Sequence, residues 1–215
     1  MEHESLNAAD GGEGARRWAA AGRPVLPTLV VDGRALPVLH VSQIADALGL
    51  PSPVGDPGRD AADAATILGG WIAELRTASW EALLAPTPAR GRSLRNLTVN
   101  VFHPFELLPG AWTTGEFDWR PEDDAQRENE LTSAEGLTGF ATAAASGWAA
   151  FLGAEDVAAR DPAVATSRGP VSFSALVAFQ RWHAAYHYRQ LLEVLGGGGL
   201  DLAAFEGLTL PRDVF

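Results

Sequence analysis

The chain has no cysteine and no lysine. Without cysteine it has no disulfide, no thiolate metal ligand, no cysteine nucleophile and no dithiol couple of its own. All 16 basic residues are arginine, so Schiff-base chemistry and a phosphate-binding P-loop are excluded as well. Positive charge is scarce overall. The 27 acidic residues leave a formal net charge of −11, with a pI of about 4.8. A field of that sign repels phosphate backbones and anionic lipid, so neither nucleic acid nor a membrane surface is an expected partner. Long apolar runs are missing too. The longest uncharged stretch, Gly136 to Ala154, is rich in Gly and Ala and carries Thr138, Thr142 and Ser146. It is too weakly apolar to span a bilayer. Met1 is followed by acidic and polar residues rather than by a signal peptide, and a cytoplasmic location is expected. What is present, 47% hydrophobic and 20% charged residues in a chain of 215, is the composition of a folded protein with one good core or a core plus a small appendage.

Two zones differ in texture. Residues 1–50 read as a small α/β segment. Gly14–Ala21 suits a short helix, Thr28–Asp32 a strand, and Asp32-Gly33 a hairpin turn leading into a second strand over Ala35–Val41. Ser42 is the expected cap of a short helix, Gln43–Leu48, stopped by Gly49. So few elements do not make an independent fold, and packing on the larger zone is expected. Residues 51–60, PSPVGDPGRD, read as a linker. Residues 61–215 are helical in period, and four helices are expected. The first runs over Ala61–Leu84, capped by Asp60, with Ile67, Trp71 and Leu75 on one face. The second runs over Leu94–Gly110, kinked or ended by Pro104 and Pro109. The third, over Thr132–Leu152, opens on the capping box Thr132-x-x-Glu135. The fourth runs over Ser172–Leu195 and stops at the glycines 196–199. The acid-rich stretch Glu116–Glu130 reads as a solvated loop. Gly139, Ala143 and Gly147 make a small-residue face, fit for helix packing or a subunit contact. Four helices with a long second-to-third connection predict a mainly α fold, a four-helix bundle.

The histidines carry the chemistry. His183 and His187 stand as H-x-x-x-H within the fourth helix, on one face, where two imidazoles can reach one ion. His103, in NVFHPFELL, lies on the second helix. Three neutral imidazoles with an open position describe a catalytic type of zinc site. Nickel, manganese or iron(II) accept the same donors. An i, i+4 histidine pair is equally an ordinary structural pair on spacing alone. Ala184, Ala185 and Tyr186 stand where a metalloprotease has its glutamate. Glu106, one turn after His103, suits a base or an imidazole-orienting group, and Tyr186 flanks the pair. Arg181, Arg189 and Gln190 suit a substrate carboxylate, and Asn100 a hydrogen bond near the site. Trp112, Trp148 and Trp182 read as core. His40 reads as structural and His3 as a surface residue.

The pattern of His103 in NVFHPFELL with His183 and His187 in WHAAYHYRQLLEVLG resembles the DinB/YfiT-like superfamily of metal-binding four-helix proteins. That superfamily includes thiol-dependent S-transferases and mycothiol-dependent maleylpyruvate isomerases. The order Tyr188-Arg189-Gln190 departs modestly from the commonest tail after the pair. The C-terminal LTLPRDVF resembles the end of a DinB subgroup with an N-terminal glutaredoxin-like segment. PVLPTLVVDGRALPVLHVSQIADALGL resembles the second half of a glutaredoxin or thioredoxin fold, with Pro27 at the place of its cis-proline, but the first strand, the first helix and the C-x-x-C motif are lacking. The resemblance implies a divalent metal held by His103, His183 and His187. It also implies a low-molecular-weight thiol such as mycothiol, bacillithiol or glutathione as co-substrate, an electrophilic small molecule as acceptor, and a homodimer. The expected activity is S-transfer, in detoxification or natural-product tailoring. The alternatives are a non-catalytic DinB-like binding module, or an isomerase or cyclase that uses the same pocket with a thiol or with no cofactor.

Overall fold

The computed structural model describes residues 4, 6–8, 11–23, 27–51, 55–87, 91–208 and 210. His3, the Leu26–Pro27 junction and most of LTLPRDVF lie outside the described residues. The chain divides into two compact units, Met1–Pro53 and Val54–Phe215, and each is described by itself.

The first unit holds α1 (Glu13–Ala20), a hairpin of β1 (Thr28–Val31) and β2 (Arg34–Pro37), and α2 (Val41–Ala47). The turn is the one its residues predict. Asp32 and Gly33 both take left-handed φ, 50° and 76°, and Val31 pairs with Arg34 across it. The second strand stops at Pro37, short of Val41, because the chain must turn to cap α2. That cap is His40 rather than Ser42. The His40 Nδ1 accepts the Ser42 N–H at 3.2 Å, and Gln43 reaches back to the backbone N–H of Leu39 and His40.

In the second unit α3 (Pro57–Leu75) starts four residues earlier than expected, inside the proline-rich segment read as a linker. Proline suits a first helical position, and Asp56 caps by accepting the Arg59 N–H at 3.0 Å. Asp60 is therefore no cap; it faces inward. The expected first helix breaks after Leu75, and Ser79 caps a separate α4 (Trp80–Leu84). The next helix, α5 (Leu94–Thr114), runs through both prolines. Pro104 and Pro109 cannot donate to the carbonyls of Asn100 and Phe105. The burial of Phe102, Phe105, Leu108 and Trp112 on its inner side holds the helix together regardless. Gly115, at φ 75°, closes it.

The stretch expected to be a loop contains β3 (Glu116–Phe117) and a helix, α6 (Pro121–Glu130). Then α7 (Ala134–Ala154) begins one position later than the capping box implies, with Ser133 as its cap. A hairpin of β4 (Ala163–Thr166) and β5 (Gly169–Ser172) joins β3 in a three-stranded sheet, order β3-β4-β5. The last long helix, α8 (Phe173–Leu195), has the expected bounds: Ser172 caps it, Asp161 accepts both the backbone N–H and the hydroxyl of Ser174, and Gly196 stops it at φ 66°.

The unit is mainly α, and its four longest helices form a ring. α3 packs on α7 and α8, and α5 packs on the same two. The ring closes on an aromatic core in which Trp71 meets Phe102 and Tyr188, Phe105 meets Trp148, and Trp112 meets Phe173. The buried indoles are satisfied: Trp71 donates to Thr98 Oγ1 and Trp148 to the Ala61 carbonyl. Trp112 and Trp148 are core as expected, whereas Trp182 is half-buried and stacks on Tyr186. Among the described residues of this unit nothing covers the small-residue face: Gly139, Ala143 and Gly147 are exposed, and α7 buries Leu137, Phe140, Ala141, Ala144 and Trp148 instead. Among the described residues no helix is long and apolar enough to cross a membrane.

Candidate functional site

Where α5 faces α8 the ring carries polar side chains in place of apolar ones. On α5 these are Asn100 and His103; on α8 they are His183, His187 and Gln190. All but His183 are buried, and a buried polar group needs a partner. The partners form a chain. His103 Nδ1 lies 2.7 Å from Asp124 Oδ1 on α6, and the same oxygen accepts from Trp119 Nε1 at 3.1 Å. A carboxylate only accepts, so His103 Nδ1 carries the proton. Asn100 Nδ2 donates to Asp124 Oδ2 at 2.9 Å, which turns Asn100 Oδ1 toward His183 Nε2 at 3.1 Å. His183 Nε2–H is thus the donor, and its Nδ1 is a bare lone pair, buried without a hydrogen-bond partner among the described residues. His187 Nδ1 donates to Gln190 Oε1 at 2.6 Å.

Burial holds His183 well below the ordinary histidine range, and the neighbouring His187, Arg92 and Arg168 push the same way. His183 is neutral at physiological pH. The His183 and His187 rings meet edge-on with centroids 4.7 Å apart, and Phe179 stacks parallel on His183. His103 lines a cleft of about 320 Å³ shared with Asp123, Gln126, Arg127 and Glu130. With Nδ1 bound, its Nε2 is the nitrogen left for a ligand.

The other expected site residues take different places. Tyr186 is half-buried, between Trp182 and the edge of the His187 ring. Glu106 is exposed and paired with Arg127 at 3.3 Å. Arg181 is engaged within the unit: it ion-pairs with Asp60 at 2.9 Å and Asp63 at 2.6 Å, and donates to the Glu206 carbonyl. Its guanidinium already clamps carboxylates, those of α3. Arg189 is half-buried, with Nε and Nη2 lacking hydrogen-bond partners among the described residues. Asn100 and Gln190 orient imidazoles. Asp124 is the residue that sequence reasoning missed, because it sits in an acidic run. The one available signal was its partner, a buried histidine on the neighbouring helix α5.

Among the described residues, no three His, Cys, Asp or Glu side chains lie close enough together to hold one metal ion. Comparison with protein-family models, curated proteins and solved structures finds no match to this chain.

Proposed function

We propose that the chain is a DinB-like, metal-dependent enzyme that activates a low-molecular-weight thiol for transfer to an electrophilic small molecule. The observation that carries this reading is the state of the three imidazoles. Each has one ring nitrogen bonded to a fixed acceptor: His103 to Asp124, His183 to Asn100 and His187 to Gln190. Outer partners of this kind set the tautomer and orientation of metal-ligating histidines. The buried, unpartnered Nδ1 of neutral His183 is an acceptor that a cation would complete. The donor types suit a divalent transition metal, zinc first, and binding one would have to draw His103, His183 and His187 closer together than they stand. A thiol coordinated to such an ion would have a lowered pKa and would be available as thiolate at neutral pH. The chain's own residues orient the imidazoles, and Arg127 lines the cleft beside His103 together with Asp123 and Glu130. The ring of four helices and the hairpin-plus-helix of the first unit support the likeness to a DinB protein with half a glutaredoxin-type fold. The reading includes a homodimer and a cytoplasmic location.

A second reading, an acid–base enzyme without metal, is favoured by one observation. Asp124 bound to His103 Nδ1 at a cleft wall is an imidazole–carboxylate pair that leaves Nε2 as the ring's proton-accepting nitrogen. Metal analysis by mass spectrometry separates the two, on wild type, His103→Ala and His183→Ala, after incubation with zinc or nickel. About one ion per chain, lost in both variants, together with thiol-dependent turnover across a panel of thiols, supports the first reading. No bound metal refutes it. Turnover that then depends on Asp124 and His103 supports the second, and no turnover at all leaves a binding module.

A further inference from the structure

α6 is held on the molecule in an unusual way. Its sequence, PEDDAQRENE, contains no large apolar residue, and Asp124 is its only buried side chain. The ring helices bury rows of Leu, Phe and Trp; α6 buries none and gains no hydrophobic anchorage. What fixes it is a set of charged and polar links to α5, arranged as two rungs one helical turn apart. Asp124 takes Asn100 and His103. Glu128 takes Arg95, at 3.0 Å, and the Asn96 amide. Arg127 adds an exposed pair to Glu106 and lies over the Phe140 ring of α7, again through its charge. Segments with few apolar contacts and solvent-reached hydrogen bonds open at lower free energy than the core around them.

The geometry points to α6 as a polar-latched lid over His103 of α5, whose docking delivers Asp124 to that imidazole. Undocked, α6 removes the carboxylate from Nδ1 and uncovers the cleft wall it supplies through Asp123, Gln126, Arg127 and Glu130. Docked, it completes the His103 partner set. This rests on the packing of α6 and holds whether or not the site takes a metal.

The test is hydrogen exchange of the full-length protein, free of added metal, by mass spectrometry for residues 121–130 and by NMR for the His103 imidazole N–H. The expected result is exchange in 121–130 at least about tenfold faster than in the middle of α5 and α8. It should speed up further in about 1 M NaCl, through the exposed Arg127–Glu106 pair and the partly exposed Glu128–Arg95 pair, since the buried Asp124 bonds are screened far less, with α5 and α8 unmoved. Glu128→Gln should reproduce the salt effect at low ionic strength. The His103 Nδ1–H should exchange through the same opening, its rate rising with salt in step with the α6 amides. The proposal is overturned if 121–130 is as protected as α8, if salt leaves its exchange unchanged, or if the His103 proton tracks the core. The salt series on wild type decides the matter even where Glu128→Gln does not fold.

Discussion

Replacing Arg181 with methionine tests the reading of the α3–α8 contact most directly. Arg181 is 7% exposed at its side chain and Asp60 6%, and their atoms approach to 2.9 Å. Asp63, the second acid on the same guanidinium, is 19% exposed. Methionine keeps much of the apolar stem and removes the charge, so Asp60 is left as a buried carboxylate without its main partner. Breaking a buried pair in this way costs about 3–5 kcal/mol. Asp63 is partly solvated and Arg59 remains as a more distant cation, which places the expected loss near about 3 kcal/mol at pH 7. At about 2–4 °C per kcal/mol for a unit of this size, the melting temperature should fall by roughly 6–12 °C.

The loss has a pH signature. Desolvation already pushes the Asp60 carboxyl upward, and Arg181 opposes it. Removing Arg181 raises it further. A carboxyl whose folded pKa lies above its unfolded one contributes stability below the unfolded pKa and loses it as pH rises through the folded one. The variant's deficit should be full at pH 7 and shrink as pH falls toward 4. The Asp60→Asn/Arg181→Met double variant should recover more than half of it at pH 7. Urea unfolding followed by circular dichroism measures each value. A loss below about 1 kcal/mol, a deficit that ignores pH, or a double variant no better than the single would refute the reasoning.

In the first unit, burial lowers the His40 pKa, and its Nδ1 must stay unprotonated to cap α2. That stability is present above the unfolded value of about 6.5 and is lost as pH falls from there through the folded value. Amide protection in 41–47 should drop as pH falls below about 6.5, and His40→Asn, also a good cap, should flatten the profile. Gly115→Ala forces a side chain into φ 75°, with its Cβ 3.4 Å from the Ala163 carbonyl. Urea unfolding should show a loss of about 1–2 kcal/mol, and an unchanged midpoint would mean that α5 does not need its left-handed stop. Metal analysis of His103→Ala and His183→Ala, and exchange in α6, test the functional readings as set out above.

Much of the scaffold was legible because its signals are local. Asp32-Gly33 fixes a turn through its own backbone preferences, and Ser172 with Gly196 bounds α8 in the same way. The i, i+4 spacing of His183 and His187 guaranteed a shared face, and the structure brings Asn100 and Gln190 to them. Other features were hidden because they depend on partners. Pro104 and Pro109 argue for a break that only the buried inner face of α5 overrules. Asp56 and Asp60 are equally good caps as letters, and the pull of Arg181 on Asp60 separates them. PEDDAQRENE has no apolar period, so α6 could not be read from periodicity.

By itself the sequence determined the absent chemistry, the hairpin turn, the bounds of the last helix and the histidine pair, since composition and short-range sterics act without help from the rest of the chain. Only the tertiary structure decided which acid meets which base. Asp124 joins His103, and Arg181 turns to Asp60 and away from the histidines. Those choices follow from desolvation: a charge enters the interior only where a partner from another helix is already waiting, and no stretch of sequence contains that partner.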